Sequence, residues 1–325
     1  MRVLVTGHAG FIARNLVGSF SRLGHEVVQP TSSALVRNEK GEPCVHRNSE
    51  QAWLESMESD KIDLVLHNAA MVGTDVVALN QEASTLTNVM GTHNICRAAR
   101  RHRAPVCYMG TSVIYDTPRY QSEAITEASR HAPGTFYGAQ KLAGEHIVRA
   151  TTPEWLIMRP LFAYGGVGDM NSLVAKGFFS SLSDRRDVPM FLDPRKCKDY
   201  MHVQDFCDAV ALACHLGLWG EDFNVSAEEP LETGEIVRMM SEVAGDDIGA
   251  RLRWHPETDY LGNHLLSSEK FRKASGWRPR LLFKGGLRTS WESIRARAEG
   301  YDPLTHIDRA AQQGLDLVDF FPSFE

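Results

Sequence analysis

The chain has 325 residues, of which 43% are hydrophobic and 23% charged, and its formal net charge at pH 7 is −6. This size suits one large core with a smaller lobe, and no apolar run approaches the roughly 20 residues of a membrane span. With no basic face for nucleic acid and no signal peptide before the first predicted strand, we expect a soluble cytoplasmic protein that acts on a small molecule.

The chain opens with a short β-branched segment, Val3-Leu4-Val5-Thr6, which predicts a buried parallel strand. A glycine turn follows, with Gly7, Gly10 and Ala13 spaced as G-x-x-G-x-x-A, and a helical pattern then runs through Phe20. Glycines between a strand and a helix let the backbone approach a pyrophosphate at the helix N-terminus. The predicted cofactor contacts in this turn are Gly7, Gly10, Phe11 and Ile12.

Three later segments, at 62–67, 106–115 and 155–158, predict further buried strands. An Ala-rich helix is predicted between the first two of them, opening near Asn88 and running to about Arg101. Parallel α/β sheets collect ligands at the carboxyl ends of their strands, where this chain has small and polar residues. The cofactor candidates at these ends, and at the start of the helix, are Asn68, Ala69, Ala70, Asn88 and Pro160.

The alternation of strands and helices from residue 1 to about 165 predicts an α/β, Rossmann-type, doubly wound parallel sheet that binds NAD(P). Residues 166–325 are predicted to form a smaller C-terminal substrate-binding lobe. Its end, 299–325, carries six acidic residues and one arginine, a net charge of −5. Three phenylalanines in this acidic tail are compatible with docking on this subunit or a partner, and equally with a disordered end.

The cysteines and histidines show no spacing typical of a metal site. The six cysteines contain no C-x-x-C pair, and the thirteen histidines are scattered. Reduced, buried thiols in a cytoplasmic protein fit this pattern better than a disulfide framework or a zinc site. We therefore expect no metal.

The most informative pattern is Tyr137-Gly138-Ala139-Gln140-Lys141, with Thr111 upstream. Positions i and i+4 share one face of a helix, so the phenol and the ammonium are predicted to point the same way. A lysine beside a tyrosine favours the phenolate and lowers the pKa of the phenol, while a hydroxyl such as that of Thr111 can hold a substrate oxygen. The predicted catalytic residues are Thr111, Tyr137 and Lys141.

Taken in order, these motifs resemble the extended short-chain dehydrogenase/reductase family, in its sugar-nucleotide epimerase, dehydratase and reductase branch. The resemblance covers residues 1–297 and includes the segment 268–279, which looks like the family's closing S-K-A-x-x-x-L-G-W-x-P. It implies that Tyr137 and Lys141 also contact the cofactor, and that a segment at about 200–226 returns to the first domain.

The cofactor implied by the resemblance is NADP or NAD. In NAD-dependent members the second strand ends in an acid that holds the adenosine ribose, and no acid stands at 27–33 of this chain. Thr31, Ser32 and Arg37 could instead accept a 2′-phosphate, which favours NADP, unless Arg37 is only a solvated loop residue. His46 and Arg47 replace the family's Asp-Ile pair at the adenine.

The chain departs from several family members in the residues that follow Thr111. The 4,6-dehydratases place Asp and Glu there, and this chain has Ser112 and Val113. GDP-fucose synthase needs a cysteine at the position of Val113 and a histidine within 176–179, and this chain has neither. Dehydration and C3/C5 epimerisation are therefore disfavoured, and hydride transfer at one carbon remains.

The substrate side departs from the family as well. Phe162 replaces an Asn that usually contacts the sugar diphosphate, and Lys198 replaces an Arg that often binds a phosphate. A lysine keeps the charge and loses the bidentate geometry of arginine. Arg195 is an alternative cation for the substrate phosphate, although it is equally well explained as a solvated charge in a surface loop. The substrate-binding candidates are Thr74, Ser112, Phe162, Arg195 and Lys198.

Three functions remain open at this point. The first is an NAD(P)-dependent oxidoreductase or epimerase of a nucleotide-activated sugar, with a 4-keto reductase slightly favoured over a 4-epimerase and a homodimer expected. The second is a dehydrogenase or reductase of a non-nucleotide small alcohol or carbonyl compound. The third is a catalytically inactive cofactor-sensing protein, against which the intact Thr111, Tyr137 and Lys141 argue.

Overall fold

The computed structural model describes residues 1–29, 49–166, 168–169 and 172–296, together with the backbone of 36–37 and 43–44. Several sequence predictions fall outside this part of the chain. They concern Thr31, Ser32, the side chain of Arg37, His46, Arg47 and the acidic tail 299–325.

The strands and helices of the described residues alternate through most of the chain. The strands are β1 (Arg2–Thr6), β2 (Glu26–Val28), β3 (Val36–Arg37), β4 (Pro43–Cys44), β5 (Leu64–His67), β6 (Val106–Met109), β7 (Trp155–Pro160), β8 (Ala163–Tyr164), β9 (Val188–Met190), β10 (Cys197–Asp199), β11 (Met201–His202), β12 (Glu221–Val225), β13 (Pro230–Glu232) and β14 (Leu252–Trp254). The helices are α1 (Phe11–Arg22), α2 (Glu50–Asp60), α3 (Thr74–Leu79), α4 (Gln81–Thr85), α5 (Gly91–His102), α6 (Phe136–Thr151), α7 (Leu173–Leu182), α8 (Val203–His215), α9 (Thr233–Ala244), α10 (Glu269–Ser275) and α11 (Phe283–Arg295).

Six parallel strands form the central sheet, in the order β12-β7-β6-β5-β1-β2. Side chains alternate between the two faces, so Val3 and Val5 of β1 pack in one core and Leu4 packs in the other. Helices α1 and α8 pack together beside the first core, and α2, α5 and α6 pack in sequence over the opposite face. The predicted doubly wound α/β fold is confirmed.

Strand β12 comes late in the chain and pairs with β7 at the edge of the central sheet. A separate core lies among α7, α9, α11 and the paired strands β9 and β14, with Tyr164, Phe178 and Met240 fully buried in it. The division of the chain into two domains at about residue 165 stays a prediction. Among the described helices, none combines the length and the apolarity that a membrane crossing requires.

Candidate active site

A cleft of about 1140 Å³ lies over the carboxyl ends of β1, β5, β6 and β7. This position is where doubly wound sheets bind ligands, because the loops of neighbouring strands diverge there. The residues that line it include most of the predicted cofactor and catalytic set: Gly7, Gly10, Phe11, Ile12, Asn68, Ala69, Ala70, Thr111, Ser112, Tyr137, Lys141, Pro160 and Phe162.

The glycine turn brings the backbone of β1 close to that of the loop after β5. Gly7 has φ +68°, and a Cβ on it would lie 2.7 Å from the Cα of Ala69. The amide of Gly10 donates to the carbonyl of Gly7 at 2.8 Å, and Gly10 is the N-cap of α1. The free amides of the first turn of α1 therefore face the cleft, which is the arrangement that binds a pyrophosphate.

A chain of buried hydrogen bonds, not anticipated from the sequence, fixes the strand ends beneath this turn. His67 lies between two hydroxyls, with Nδ1 2.8 Å from Thr6 Oγ1 and Nε2 3.0 Å from Thr92 Oγ1. The Thr6 hydroxyl also accepts the amides of Asn68 and Ala69, each at 3.1 Å. Burial lowers the pKa of His67 to about 3, so the imidazole is neutral and acts as a structural spacer.

Asn88, a predicted cofactor residue, is buried behind the cleft. Its Oδ1 accepts the amide of Met71 at 2.7 Å, and its Nδ2 donates to the Met71 carbonyl at 3.0 Å and to Gln140 Oε1 at 2.8 Å. Asn88 thus holds the loop that borders the cleft and ties it to α6. In this structure Asn88 supports the loop from behind, and its predicted contact with the cofactor stays a prediction.

The first turn of α6 presents the predicted catalytic pair. Thr135 caps this helix, because its hydroxyl accepts the amide of Gly138 at 3.1 Å. Thr111, Tyr137 and Lys141 all border the cleft. The structure therefore brings the three predicted catalytic residues together from β6 and α6.

The electrostatics differ from the sequence expectation, in which Lys141 lowers the pKa of Tyr137. Burial raises the pKa of Tyr137, the nearby Tyr260 raises it further, and only the Thr111 hydroxyl lowers it. Lys141 Nζ lies 4.0 Å from the centroid of the Tyr108 ring. Burial also lowers the pKa of Lys141 to about 7, against the opposing effect of Glu145, so only part of its population is charged at neutral pH.

Two of the predicted substrate residues line the cleft. Ser112 and Phe162 border it, and the Phe162 ring stacks on Tyr200 with centroids 5.2 Å apart. Thr74 is the first residue of α3 and is not among the described residues that line the cleft, so its substrate role stays a prediction.

Lys198 and Arg195 do not have the surroundings predicted for substrate cations. Lys198 is fully buried, and its ammonium donates to both carboxylate oxygens of Asp259 at 2.9 Å. Arg195 is exposed and forms a bidentate pair with Asp193, at 2.9 Å for each bond. The ion pair with Asp259 occupies the ammonium of Lys198, and the exposure of Arg195 is compatible with the alternative of a solvated loop charge, so both substrate roles stay predictions.

A buried ion pair supports the floor of the cleft next to Pro160. Arg159 and Glu145 are both fully buried and form two hydrogen bonds of 2.8 Å. Arg159 also contacts Asp222 of β12 at 2.5 Å and donates to the Tyr115 hydroxyl at 2.8 Å. The sequence signal that indicates this pair is the position of Glu145, one helical turn after Lys141 on α6.

Comparison with known proteins agrees with this architecture. The profile of the NAD dependent epimerase/dehydratase family matches residues 3–226. A dTDP-glucose 4,6-dehydratase of Mycobacterium tuberculosis (strain CDC 1551 / Oshkosh) is 25% identical over 96% of this chain and 99% of its own length. A probable low-salt glycan biosynthesis reductase, Agl14, of Haloferax volcanii is 28% identical over 59% of this chain and 64% of its own.

Among solved structures, the fold is similar to that of UDP-glucuronic acid 4-epimerase from Bacillus cereus in complex with UDP-glucuronic acid and NAD. The TM-score is 0.77 at 20% identity, with 91% of this chain and all of the other covered.

Proposed function

The chain belongs to the NAD dependent epimerase/dehydratase family, in the sugar-nucleotide branch of the extended short-chain dehydrogenases/reductases, and we propose that it transfers a hydride at one carbon of a nucleotide-activated sugar. The observation that carries this proposal is that Thr111 and Tyr137 line the same cleft as the glycine turn. A proton-transfer group and a dinucleotide turn in one cleft are the requirements of alcohol–carbonyl interconversion.

Each residue has a distinct part in this reaction. The amides at Gly10 and the start of α1 would hold the pyrophosphate of a dinucleotide, whose nicotinamide would supply or accept the hydride. Tyr137 gives a proton to, or takes one from, the substrate oxygen, and Thr111 hydrogen-bonds that oxygen. Lys141 would donate a hydrogen bond to the cofactor ribose, as the family resemblance implies.

Reduction of a 4-keto sugar fits the lining of the cleft better than dehydration. Ser112 and Val113 stand where dehydratases carry an acid pair, and Glu82 is the one carboxylate among the described residues that border the cleft. Elimination of water needs both a proton donor and a base, which these side chains do not supply. The name of the Haloferax volcanii relative supports a reductase, and a 4-epimerase is the alternative with the same catalytic residues.

For the cofactor, we favour NADPH over NADH. The support is the absence of an acid at 27–33 and the presence of Thr31, Ser32 and Arg37 in the following segment. The similar Bacillus cereus structure contains NAD, so NAD is the alternative.

One structural observation favours a substrate without a diphosphate. Phe162 borders the cleft, and Lys198, the expected phosphate contact, is paired with Asp259 instead. A non-nucleotide alcohol or carbonyl compound is therefore the second candidate. A catalytically inactive cofactor-sensing protein is the third candidate. The placement of Thr111 and Tyr137 at one cleft argues against it.

We also expect a cytoplasmic homodimer. Leu86, Met90 and Phe136 are large apolar residues exposed on the π-helical turn Leu86–Met90 and on α6, which pack against each other. A second copy of the chain covering these residues would remove them from water. Substituting Met90→Glu should shift the sedimentation coefficient from dimer to monomer, and a monomeric wild type would refute the dimer.

The reaction type is tested by mixing purified protein with a 4-keto sugar nucleotide and NADPH. A reductase oxidises one NADPH for each product, seen as a fall in absorbance at 340 nm, and the purified protein contains little bound cofactor. Interconversion of two sugar epimers without added cofactor would establish the epimerase instead. Release of water from a hexose nucleotide would establish a dehydratase, and failure of all nucleotide sugars would favour the second candidate.

A further inference from the structure

Tyr108 lies in the middle of the central sheet, on the strand that leads to Thr111. Its backbone is paired with His67 of β5 on one side and with Ile157 of β7 on the other, so the strand is fixed at both edges. Its side chain is 1% exposed and packs in the core that also contains Val148 of α6. Tyr108 is therefore a rigid part of the sheet beneath the helix that carries the catalytic pair.

The ammonium of Lys141 lies over the face of this ring. Lys141 Nζ is 4.0 Å from the centroid of the Tyr108 ring, and Lys141 is only 3% exposed. A cation this close to an aromatic face is attracted by the negative charge of the π system, and the attraction is strongest where water is excluded. The contact has both the distance and the burial that this attraction requires.

Glu145, one helical turn after Lys141, is engaged by another cation. Its two carboxylate oxygens accept hydrogen bonds from Nε and Nη2 of Arg159, at 2.8 Å each. Burial favours the neutral amine of Lys141, which lowers its pKa, and Glu145 opposes this through its charge alone. The ring of Tyr108 therefore supplies a direct contact to the ammonium that Glu145, being paired with Arg159, does not.

Gly144 lets α6 approach the ring closely. A Cβ on Gly144 would lie 2.9 Å from Cζ of Tyr108 and closer still to its hydroxyl oxygen, so a larger residue would displace the ring. Lys141 and Gly144 are three positions apart and share one face of α6. The helix thus presents the lysine and the space for the tyrosine on the same face, which places the ring beneath the ammonium.

We propose that Tyr108 is a positioning residue for Lys141, whose ammonium it holds at the wall of the cleft through the face of its ring. Lys141 is among the described residues that line the cleft, and Tyr108 is not, so Tyr108 acts through the lysine. This inference rests on the proposed function, in which Lys141 donates a hydrogen bond to the cofactor ribose.

A spectroscopic test without cofactor measures the contact directly. The ring current of an aromatic residue shifts protons above its face upfield, so in lysine-labelled protein the ε-methylene signal of Lys141 should lie upfield of that of the exposed Lys273. The Lys141 signal is assigned from its disappearance in Lys141→Met. The upfield shift should remain in Tyr108→Phe, which keeps the ring face, and vanish in Tyr108→Leu. A Lys141 signal without an upfield shift in the wild type would overturn the inference.

A fluorination series at position 108 separates the cation–π contact from packing, and it keeps the shape of the core if Tyr108→Leu fails to fold. Each fluorine on a phenylalanine ring withdraws negative charge from the ring face, so rings with none, one, two and three fluorines should hold the ammonium progressively less well. Tyr108→Phe should bind NADPH and NADH within about twofold of wild type, and the trifluorinated ring should weaken both about 5- to 30-fold. Both nucleotides should be affected equally, because they share the nicotinamide ribose.

Phe178, fully buried in the separate core, provides the matched control for this series. The same fluorinated rings at position 178 should leave both affinities within about twofold of wild type. Unchanged affinities across the series at position 108, or equal losses at position 178, would refute the positioning role even in a protein that reduces a nucleotide sugar. A stepwise loss confined to position 108, in a protein that turns over no nucleotide sugar, would support the positioning role and reject the proposed function.

Discussion

Thr111, at the end of strand β6, and Tyr137, in the first turn of α6, border the same cleft. Burial raises the pKa of the Tyr137 phenol, the neighbouring Tyr260 raises it further, and the Thr111 hydroxyl lowers it. The neutral phenol is therefore the resting form, ready to donate a proton to a developing alkoxide. This is the protonation state that reduction of a carbonyl requires.

Replacing Tyr137 with Phe should lower kcat by about 10²- to 10⁴-fold, which is the usual contribution of a positioned general acid or base. Cofactor affinity should stay near that of wild type, because the ring that borders the cleft is retained. Steady-state kinetics and fluorescence titration with NADPH measure the two quantities. Near-normal turnover would exclude Tyr137 from proton transfer.

Lys141 should make the cofactor-free protein more stable as the pH rises from about 7 to about 10.5. Burial lowers its pKa to about 7 in the folded state, so above that pH the unfolded chain binds the extra proton. The contribution to the unfolding free energy should rise by up to about 1.4 kcal/mol per pH unit in this window and be constant below it. Urea denaturation of wild type and Lys141→Met at several pH values gives the difference, and parallel pH profiles would contradict the assignment.

The same Lys141→Met variant should lose both turnover and cofactor affinity, unlike Tyr137→Phe. The reason is that a lysine in this position is expected to hydrogen-bond the nicotinamide ribose as well as to act on the phenol. Titration with NADPH and with NADH measures the loss. Unchanged affinity for both nucleotides would show that Lys141 does not contact the cofactor.

Glu145→Gln should lower the unfolding free energy by about 1.5–3 kcal/mol, because it removes the bidentate carboxylate of the buried Arg159 and leaves Asp222 as the carboxylate that still contacts it. Glu242→Gln, in the exposed pair with Arg238, is a matched control and should change stability by less than about 0.5 kcal/mol. Glu145 also raises the pKa of Lys141, so its loss should lower that pKa further. Equal stabilities of the two variants would show that the buried Arg159–Glu145 pair contributes little to the free energy of unfolding.

Lys198→Met separates a phosphate contact from the ion pair seen here. Because Asp259 would be left buried and unpaired, the unfolding free energy should fall by about 3–5 kcal/mol. In the folded variant, KM for the nucleotide sugar should stay within about threefold of wild type, because Lys198 has no substrate contact to lose. A tenfold or greater rise in KM at constant kcat would restore the phosphate role.

NADPH should bind about 10- to 100-fold more tightly than NADH, as expected for one charged contact to a 2′-phosphate worth about 1.5–3 kcal/mol. Arg37→Ala should remove this difference and leave the affinity for NADH unchanged. Isothermal titration calorimetry of wild type and Arg37→Ala with NADPH and with NADH measures these affinities. Equal affinities in the wild type would reject the 2′-phosphate site.

The features that the sequence predicted well are those encoded over short distances. The glycine turn depends on a spacing of three residues after a buried strand, and the shared face of Tyr137 and Lys141 follows from helix geometry alone. Strand periodicity and the β-branched composition were sufficient for the parallel sheet, because strands buried on both faces have continuous apolar segments.

The tertiary structure decided the features that depend on which distant groups meet. Lys198 is a cation before an Asp-Tyr pair in the sequence, and only folding places Asp259, 61 residues later, against it. The partners of His67 are likewise long-range. A local pattern specifies backbone conformation, whereas the pKa of a buried group and the partner of a buried charge are set by neighbours that are distant in the sequence.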